Sequence, residues 1–148
     1  MRLALYQPDI PQNLGGIMRL CACFDVPLDI IEPCGFAFDD KRIRRAGMDY
    51  IEHVKYTLHP SWAQFLETHK GKRLALLTTR GAGSLYKTRF HEDDILLLGR
   101  ESAGAPQEVH DASGLRIRIP MKEEMRSFNV AMSAAIALSE ALRQIRND

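Results

Sequence analysis

Several things that would place a chain quickly are missing from these 148 residues. No apolar run approaches the roughly 18 residues of a membrane-spanning helix, so no span is expected. The N-terminus, Met-Arg-Leu-Ala-Leu-Tyr-Gln-Pro, reads as a short strand closed by proline and not as a signal peptide. There are three cysteines, Cys21, Cys23 and Cys34, without metal-ligand spacing; they read as reduced core thiols, which fits the cytosol. The five histidines are scattered and form no His-x-x-x-His pair, so no metal site is expected. Gly81-Ala-Gly83 lacks a third glycine and an evident following helix, which removes the dinucleotide fingerprint. Repeats, linkers and low-complexity tracts are absent. Formal net charge is only +1, so nucleic-acid binding must come from a local patch and not from bulk charge.

What is there is an ordinary globular composition, 45% hydrophobic and 26% charged, in a length that suits one domain, residues 1–148. Strands are expected at Leu3 to Tyr6, Leu28 to Ile31, Tyr50 to Lys55, Arg73 to Thr78, Ile95 to Leu98 and Leu115 to Ile119. Helices are expected at Leu14 to Phe24 with Asn13 as its cap, Lys41 to Ala46, Pro60 to Thr68, Pro106 to Asp111 and Val130 to Arg146. Thr79 to Tyr86 reads as a glycine-rich loop. Apolar strands alternating with helices indicate an α/β protein, a mainly parallel sheet covered by helices on both faces. The alanine-rich face of the last helix, with Ala131, Ala134, Ala135, Leu138, Ala141, Leu142 and Ile145, suits close packing in the core or across a dimer.

In such sheets ligands sit outside the carboxyl ends of strands. Three ends carry glycine or small polar residues: Leu77-Thr78-Thr79, Leu98-Gly99-Arg100-Glu101 and Ile119-Pro120-Met121. Their backbone groups suit a planar base and a ribose, hence a nucleotide-like small molecule. Pro120 ends its strand because it has no N–H to donate, and Ser127-Phe-Asn129 then opens the last helix. That stretch is either a binding loop or an ordinary capped turn. Gly15 and Gly16 stand in the first turn of the first helix, where glycine permits close approach; Arg19, one turn on, is otherwise a solvated charge. Lys41, Arg42, Arg44 and Arg45 put four cations on one short helix behind Asp39 and Asp40. They fit a phosphate backbone or a merely solvated face.

Three segments together carry a resemblance. Asn13-Leu-Gly-Gly-Ile-Met-Arg19, Leu97-Leu98-Gly99-Arg100-Glu101-Ser-Ala-Gly104, and Ile117-Arg-Ile119-Pro120-Met121 with Arg126-Ser127-Phe-Asn129 resemble, in order, the three motifs of the SPOUT methyltransferases. Length, Ile30-Ile31-Glu32-Pro33 and the segment from Asp39 to Gly47 look like the small TrmL-type tRNA 2′-O-methyltransferases within that family. Ala103 stands where the family often has arginine, and Asn129-Val130-Ala131 where it usually reads Asn-Leu-Ser. The resemblance implies a C-terminal trefoil knot, a homodimer, and S-adenosylmethionine as cofactor with no metal. It implies transfer to the ribose of the wobble nucleotide, cytidine or 5-carboxymethylaminomethyluridine, in leucine tRNAs.

By the same resemblance Leu77, Thr78, Gly99, Glu101, Gly104, Ile119, Met121 and Ser127 would line the cofactor pocket. Arg19 would act as a positioned guanidinium, because arginine is a poor base. Asn13 would orient Arg19 or the ribose, and Ser127 and Asn129 would place the third segment. Lys41, Arg42, Arg44 and Arg45 would meet the tRNA. Competing readings are a related enzyme acting on ribosomal RNA, a non-catalytic RNA-binding knot protein, and an unrelated nucleotide-binding α/β module.

Overall fold

The structure, a computed structural model, describes residues 1–38, 41, 45, 50–81 and 83–146. Its centre is a seven-stranded sheet in the order β3-β2-β1-β6-β4-β7-β5. The strands are β1 (Arg2–Tyr6), β2 (Leu28–Ile31), β3 (Tyr56–His59), β4 (Leu74–Leu77), β5 (Gly83–Ser84), β6 (Ile95–Leu98) and β7 (Leu115–Arg118). Every pairing between them is parallel. β6 reads Ile-Leu-Leu-Leu and is buried throughout, because it lies between β1 and β4 and is covered on both faces. A parallel strand in that position has no solvent side, so its sequence does not alternate.

The helices are α1 (Pro11–Phe24), α2 (Trp62–Thr68), α3 (Gln107–Ala112) and α4 (Val130–Arg146). On one face, Leu3, Leu5, Leu28, Ile30, Leu96, Leu98 and Ile117 pack with Leu14, Ile17, Met18 and Cys21 of α1 and Ala134, Ala137, Leu138 and Ala141 of α4. On the other, Ala4, Tyr6, Ile31, Leu76, Ile95 and Leu97 pack with Phe65 of α2 and Val109 of α3. The expected α/β architecture, with helices on both faces, is the one observed. No helix among the described residues is long and apolar enough to cross a membrane.

Four expectations need correction. α1 begins at Pro11, with Ile10 as its cap residue and no side-chain cap, so Asn13 lies inside the first turn. Proline suits that position because its fixed φ is helical and its missing N–H would be unpaired anyway. Tyr50 to Lys55 is not a strand: residues 50–53 turn, and the strand is Tyr56–His59, in parallel register with Leu28–Ile31. Ile51 and Val54 are buried as residues of that turn and its exit. The loop expected at Thr79 to Tyr86 contains β5 and runs into one turn of 3-10 helix, Leu85–Lys87. Cys21 is a buried free thiol, pushed up to about 12 by burial, but Cys23 is exposed because it falls on the solvent side of α1.

Candidate functional site

β6, β4 and β7 are neighbours, so their carboxyl ends open side by side. Outside them lies a cleft of about 570 Å³. Leu77, Thr78, Gly99, Glu101, Gly104, Ile119, Met121 and Ser127 all line it, as do Asn13 and Asn129. The floor is apolar, with Leu98 and Ile117 beside Leu77 and Ile119, and the rim is polar.

The loop after β6 makes the wall tight. Arg100 and Gly104 exchange two backbone hydrogen bonds, of 3.2 and 2.9 Å. A Cβ on Gly99 would stand 2.5 Å from Ala105 N and from the Gly104 carbonyl carbon, so only glycine fits there. Gly104 turns the loop at φ +65°, in the left-handed region that glycine adopts without strain.

A chain of hydrogen bonds with determined polarity crosses the cleft. The Asn129 Oδ1 accepts from the N–H groups of Ala131 (2.9 Å) and Met132 (3.3 Å), capping α4. Its Nδ2 must therefore face the other way, and donates to Asn13 Oδ1 at 2.8 Å. The Asn13 Nδ2 in turn donates to Glu101 Oε1 at 3.3 Å. Glu101 Oε2 accepts from the Asp9 N–H at 2.9 Å, and Asp9 Oδ1 accepts from the Glu101 N–H at 3.2 Å. Ser102 Oγ donates to Asp9 Oδ2. Burial, and then the Asp9 carboxylate beside it, raises the Glu101 carboxyl above its ordinary value. Asp9 is held low, first by its hydrogen bond with Glu101. The two carboxyls of the pair are thus shifted in opposite directions, Glu101 up and Asp9 down.

A second pair lies below Thr78. The His110 Nδ1 is 3.2 Å from the Pro106 carbonyl, which can only accept. In the neutral ring Nε2 is then the acceptor, and the Thr78 hydroxyl donates to it at 2.9 Å. The Thr78 oxygen also takes the Arg80 N–H at 3.2 Å.

Of the residues singled out in the sequence, Arg19 does not line the cleft. It is exposed on α1, its guanidinium 4.9 Å from the centre of the Tyr50 ring. Lys41 and Arg45 are helical and exposed, while Arg42 and Arg44 lie outside the described residues. Sequence reasoning passes over Asp9 and His110. Asp9 sits between Pro8 and Pro11, where Gly35 lets another loop touch it: a Cβ on Gly35 would stand 2.5 Å from Asp9 Cβ. Nothing near His110 in sequence announces that it is buried against Thr78, 32 residues away.

Residues 1–139 match the model of the SpoU rRNA Methylase family. Over 145 residues the chain is 51% identical to the tRNA (cytidine(34)-2′-O)-methyltransferase of Beijerinckia indica subsp. indica, spanning 97% of this chain and 91% of that one. A solved structure described as "Structural insights into the 2-OH methylation of C/U34 on tRNA" superposes with a TM-score of 0.94 at 43% identity, over 99% of this chain and 97% of that one. The AdoMet-bound rRNA methyltransferase of Sinorhizobium meliloti superposes with a TM-score of 0.86 at 23% identity, over 96% of this chain and 55% of that one, a likeness of fold.

Proposed function

The chain belongs to the SpoU rRNA methylase family, and from that premise we propose that it transfers a methyl group from S-adenosylmethionine to the ribose 2′-oxygen of nucleotide 34, cytidine or a modified uridine, in tRNA. Leucine tRNAs are the substrates that the TrmL-type resemblance implies. The observation that carries the reading is the meeting, at one cleft, of Asn13, Glu101 and Asn129 from three separate segments. The 51% identity over 97% of the chain to a named wobble-ribose methyltransferase supports the substrate. Residues 1–148 would act as one domain, with the C-terminal knot that family membership implies.

The cofactor fits this cleft. Its volume is within the range of small-molecule sites, roughly 300–1,000 Å³. The loop after β6 can pack this closely along the cleft because Gly99 meets the backbone of Gly104 and Ala105 without a side chain between them. Leu77, Ile119 and Met121 offer apolar surface for a base, and Thr78, Glu101 and Ser127 offer polar atoms at the edge. Bound there, the cofactor would supply an electrophilic methyl carbon: the ribose 2′-oxygen would take it in line as the carbon–sulfur bond breaks, with S-adenosylhomocysteine leaving as the neutral thioether and the hydroxyl proton passing to water. The chain's contribution is chiefly orientation and the exclusion of water. Asn129 and Asn13 hold Glu101 in one position, and Thr78 is held by His110.

Arg19 is not among the residues that line its own cleft, so we place its role in transfer at the cleft of a second protomer. Support for a homodimer comes from apolar side chains exposed near the cleft mouth. Ile10 (41%) and Phe128 (38%) line it, and Met125 (58%) and Met132 (57%) lie near Phe128 in the chain. Such a surface in water marks an interaction site. A partner protomer covering it would bring its α1 toward this cleft, and with it a guanidinium able to hold a phosphate or a developing oxyanion.

The test is transfer of labelled methyl from S-adenosylmethionine to tRNA lacking this modification, followed by digestion to locate the label. Label on the ribose of nucleotide 34 is expected. In Arg19→Ala the label should vanish while S-adenosylhomocysteine still binds. Label confined to ribosomal RNA, or no label in any RNA, overturns the assignment.

A further inference from the structure

The lining of the cleft is far more cationic than the chain. Arg80, Arg100, Arg118 and Arg126 contribute four guanidiniums to it, and the carboxylic side chains there number one, Glu101. That carboxyl is already occupied, accepting from the Asn13 side chain and the Asp9 N–H. The chain as a whole carries a formal charge of +1. The charge at the cleft is therefore a local patch of the kind a polyanion reads.

The four arginines are not equally free. Arg100 turns inward, its Nε donating to the Gln7 carbonyl at 3.3 Å. Arg80 donates to the Gln107 side-chain carbonyl at 3.0 Å, a neutral partner that leaves its charge uncompensated. Arg118 and Arg126 are exposed, and among the described residues neither side chain has a hydrogen bond or ion pair. Arg118 ends β7, on the strand face opposite the buried Ile117, and so stands at the mouth of the cleft by the geometry of the pleat. Arg126 stands on the loop before α4, one residue from Ser127.

A methyl donor does not account for this charge. S-adenosylmethionine carries one carboxylate against an ammonium and a sulfonium, so it is itself a net cation, and a ring of free guanidiniums repels it. A nucleotide in an RNA chain brings a phosphate on each side of its ribose. Guanidinium is the side chain best matched to phosphate, through paired N–H donors in one plane.

Resting on the reading that this cleft methylates a tRNA ribose, we infer that Arg118 and Arg126 grip the phosphates flanking the target nucleotide, with Arg80 as a third contact. The clamp lies at the cleft and uses other residues than the basic segment at Lys41 to Arg45. It acts on RNA and leaves the cofactor alone. The two arginines are positioning residues: they hold the strand so that one ribose enters the cleft.

The experiment measures tRNA affinity by fluorescence anisotropy across a series of salt concentrations for wild type, Arg118→Gln, Arg126→Gln and the double variant. S-adenosylhomocysteine affinity is read by calorimetry on the same samples. Removing one phosphate-binding guanidinium should lower the slope of log affinity against log salt by about one, so the double variant should fall by about two. S-adenosylhomocysteine affinity should stay within about twofold, since the cofactor is outside the clamp. Arg118→Lys and Arg126→Lys, which keep the charge, should recover most of the slope. An unchanged slope in the double variant overturns the clamp, and so does a loss of S-adenosylhomocysteine affinity with the slope intact, which would assign the side chains to the cofactor. The proposed reaction fails separately: wild-type protein that never labels nucleotide 34 sinks it. The salt slopes of the variants still decide the clamp, because they are read from binding.

Discussion

Asp29 and Glu101 are both carboxyls drawn into the protein beside the sheet, and they are held in opposite states. Asp29 lies on β2, its side chain 1% exposed, between Arg2, His59 and His69. Burial would raise it, but hydrogen bonds from Arg2 (2.8 and 3.0 Å) and with His59 (2.8 Å) outweigh that and hold it below its ordinary value. Glu101 stands at the cleft, where its partners are the neutral N–H groups of Asp9 and Asn13 and the carboxylate of Asp9, and it is raised. A guanidinium makes the first site a closed ion-pair cluster packed near Phe65. Without one, the second carboxyl, at the edge of an open cavity, is shifted up by burial and by the Asp9 carboxylate beside it. The same chemical group is shifted down in one place and up in the other, and the difference lies in which charge stands opposite.

The comparison breaks most visibly at Arg2. Arg2→Ala should leave a buried carboxylate without its cation and cost about 3 kcal/mol of stability, at the low end for a broken buried pair because Arg2 is partly exposed. The denaturant midpoint reads this, and S-adenosylhomocysteine affinity should not move. If affinity falls in step with stability, the two clusters are not independent. Asn13→Ala should show the converse. Two side-chain hydrogen bonds go, at about 1 kcal/mol each, so stability falls by about 2 kcal/mol. Methyl transfer should drop well beyond that, since Glu101 and Asn129 lose the group between them; transfer that falls no further than the folded fraction would reduce Asn13 to a structural role.

The smallest effect is in pH, and it carries opposite signs at the two sites. The depressed Asp29 contributes stability that is present above its unfolded value of about 3.9 and is lost as pH falls through its lower folded value. The raised Glu101 contributes stability that is present below its unfolded value of about 4.3 and is lost as pH rises through its higher folded value. Melting curves over that acid range should therefore show Asp29→Asn removing part of the acid-side loss and Glu101→Gln removing part of the loss on the other side. Parallel pH profiles in both variants would contradict the assignment.

Legibility in the sequence varies with the element. β2 and β6 are readable to their observed limits, since Leu28–Ile31 and Ile95–Leu98 are buried runs bounded by Pro27 and Glu32 and by Asp94 and Gly99. β3 is not: Ile51 and Val54 give Tyr50 to Lys55 an apolar pattern that the turn satisfies equally well. The true strand, Tyr56–His59, is exposed at its first three residues and shows little burial pattern of its own. At the cleft, glycine, proline and small polar residues mark the three strand ends, because they betray a change of backbone course locally. Arg118 and Arg126 stand within the third segment in plain view, but a cationic side chain in a sequence does not say whether an acid lies opposite.

The order of residues is enough for the α/β class, for the strands buried on both faces and for the three strand ends that open on the cleft. These follow from hydrophobic period and from backbone restrictions at glycine and proline, which act over a few residues. It is not enough for the polarity of the site. Asn129 meets Asn13 across 116 residues, Asn13 meets Glu101 across 88, and Asp29 finds His59 30 residues away. Which of these groups face one another depends on the strand order β3-β2-β1-β6-β4-β7-β5 and on where each helix docks. The same docking sets Arg19 over the Tyr50 ring. Hydrogen bonds and charges act at contact distance, so their partners are set only once the chain has folded.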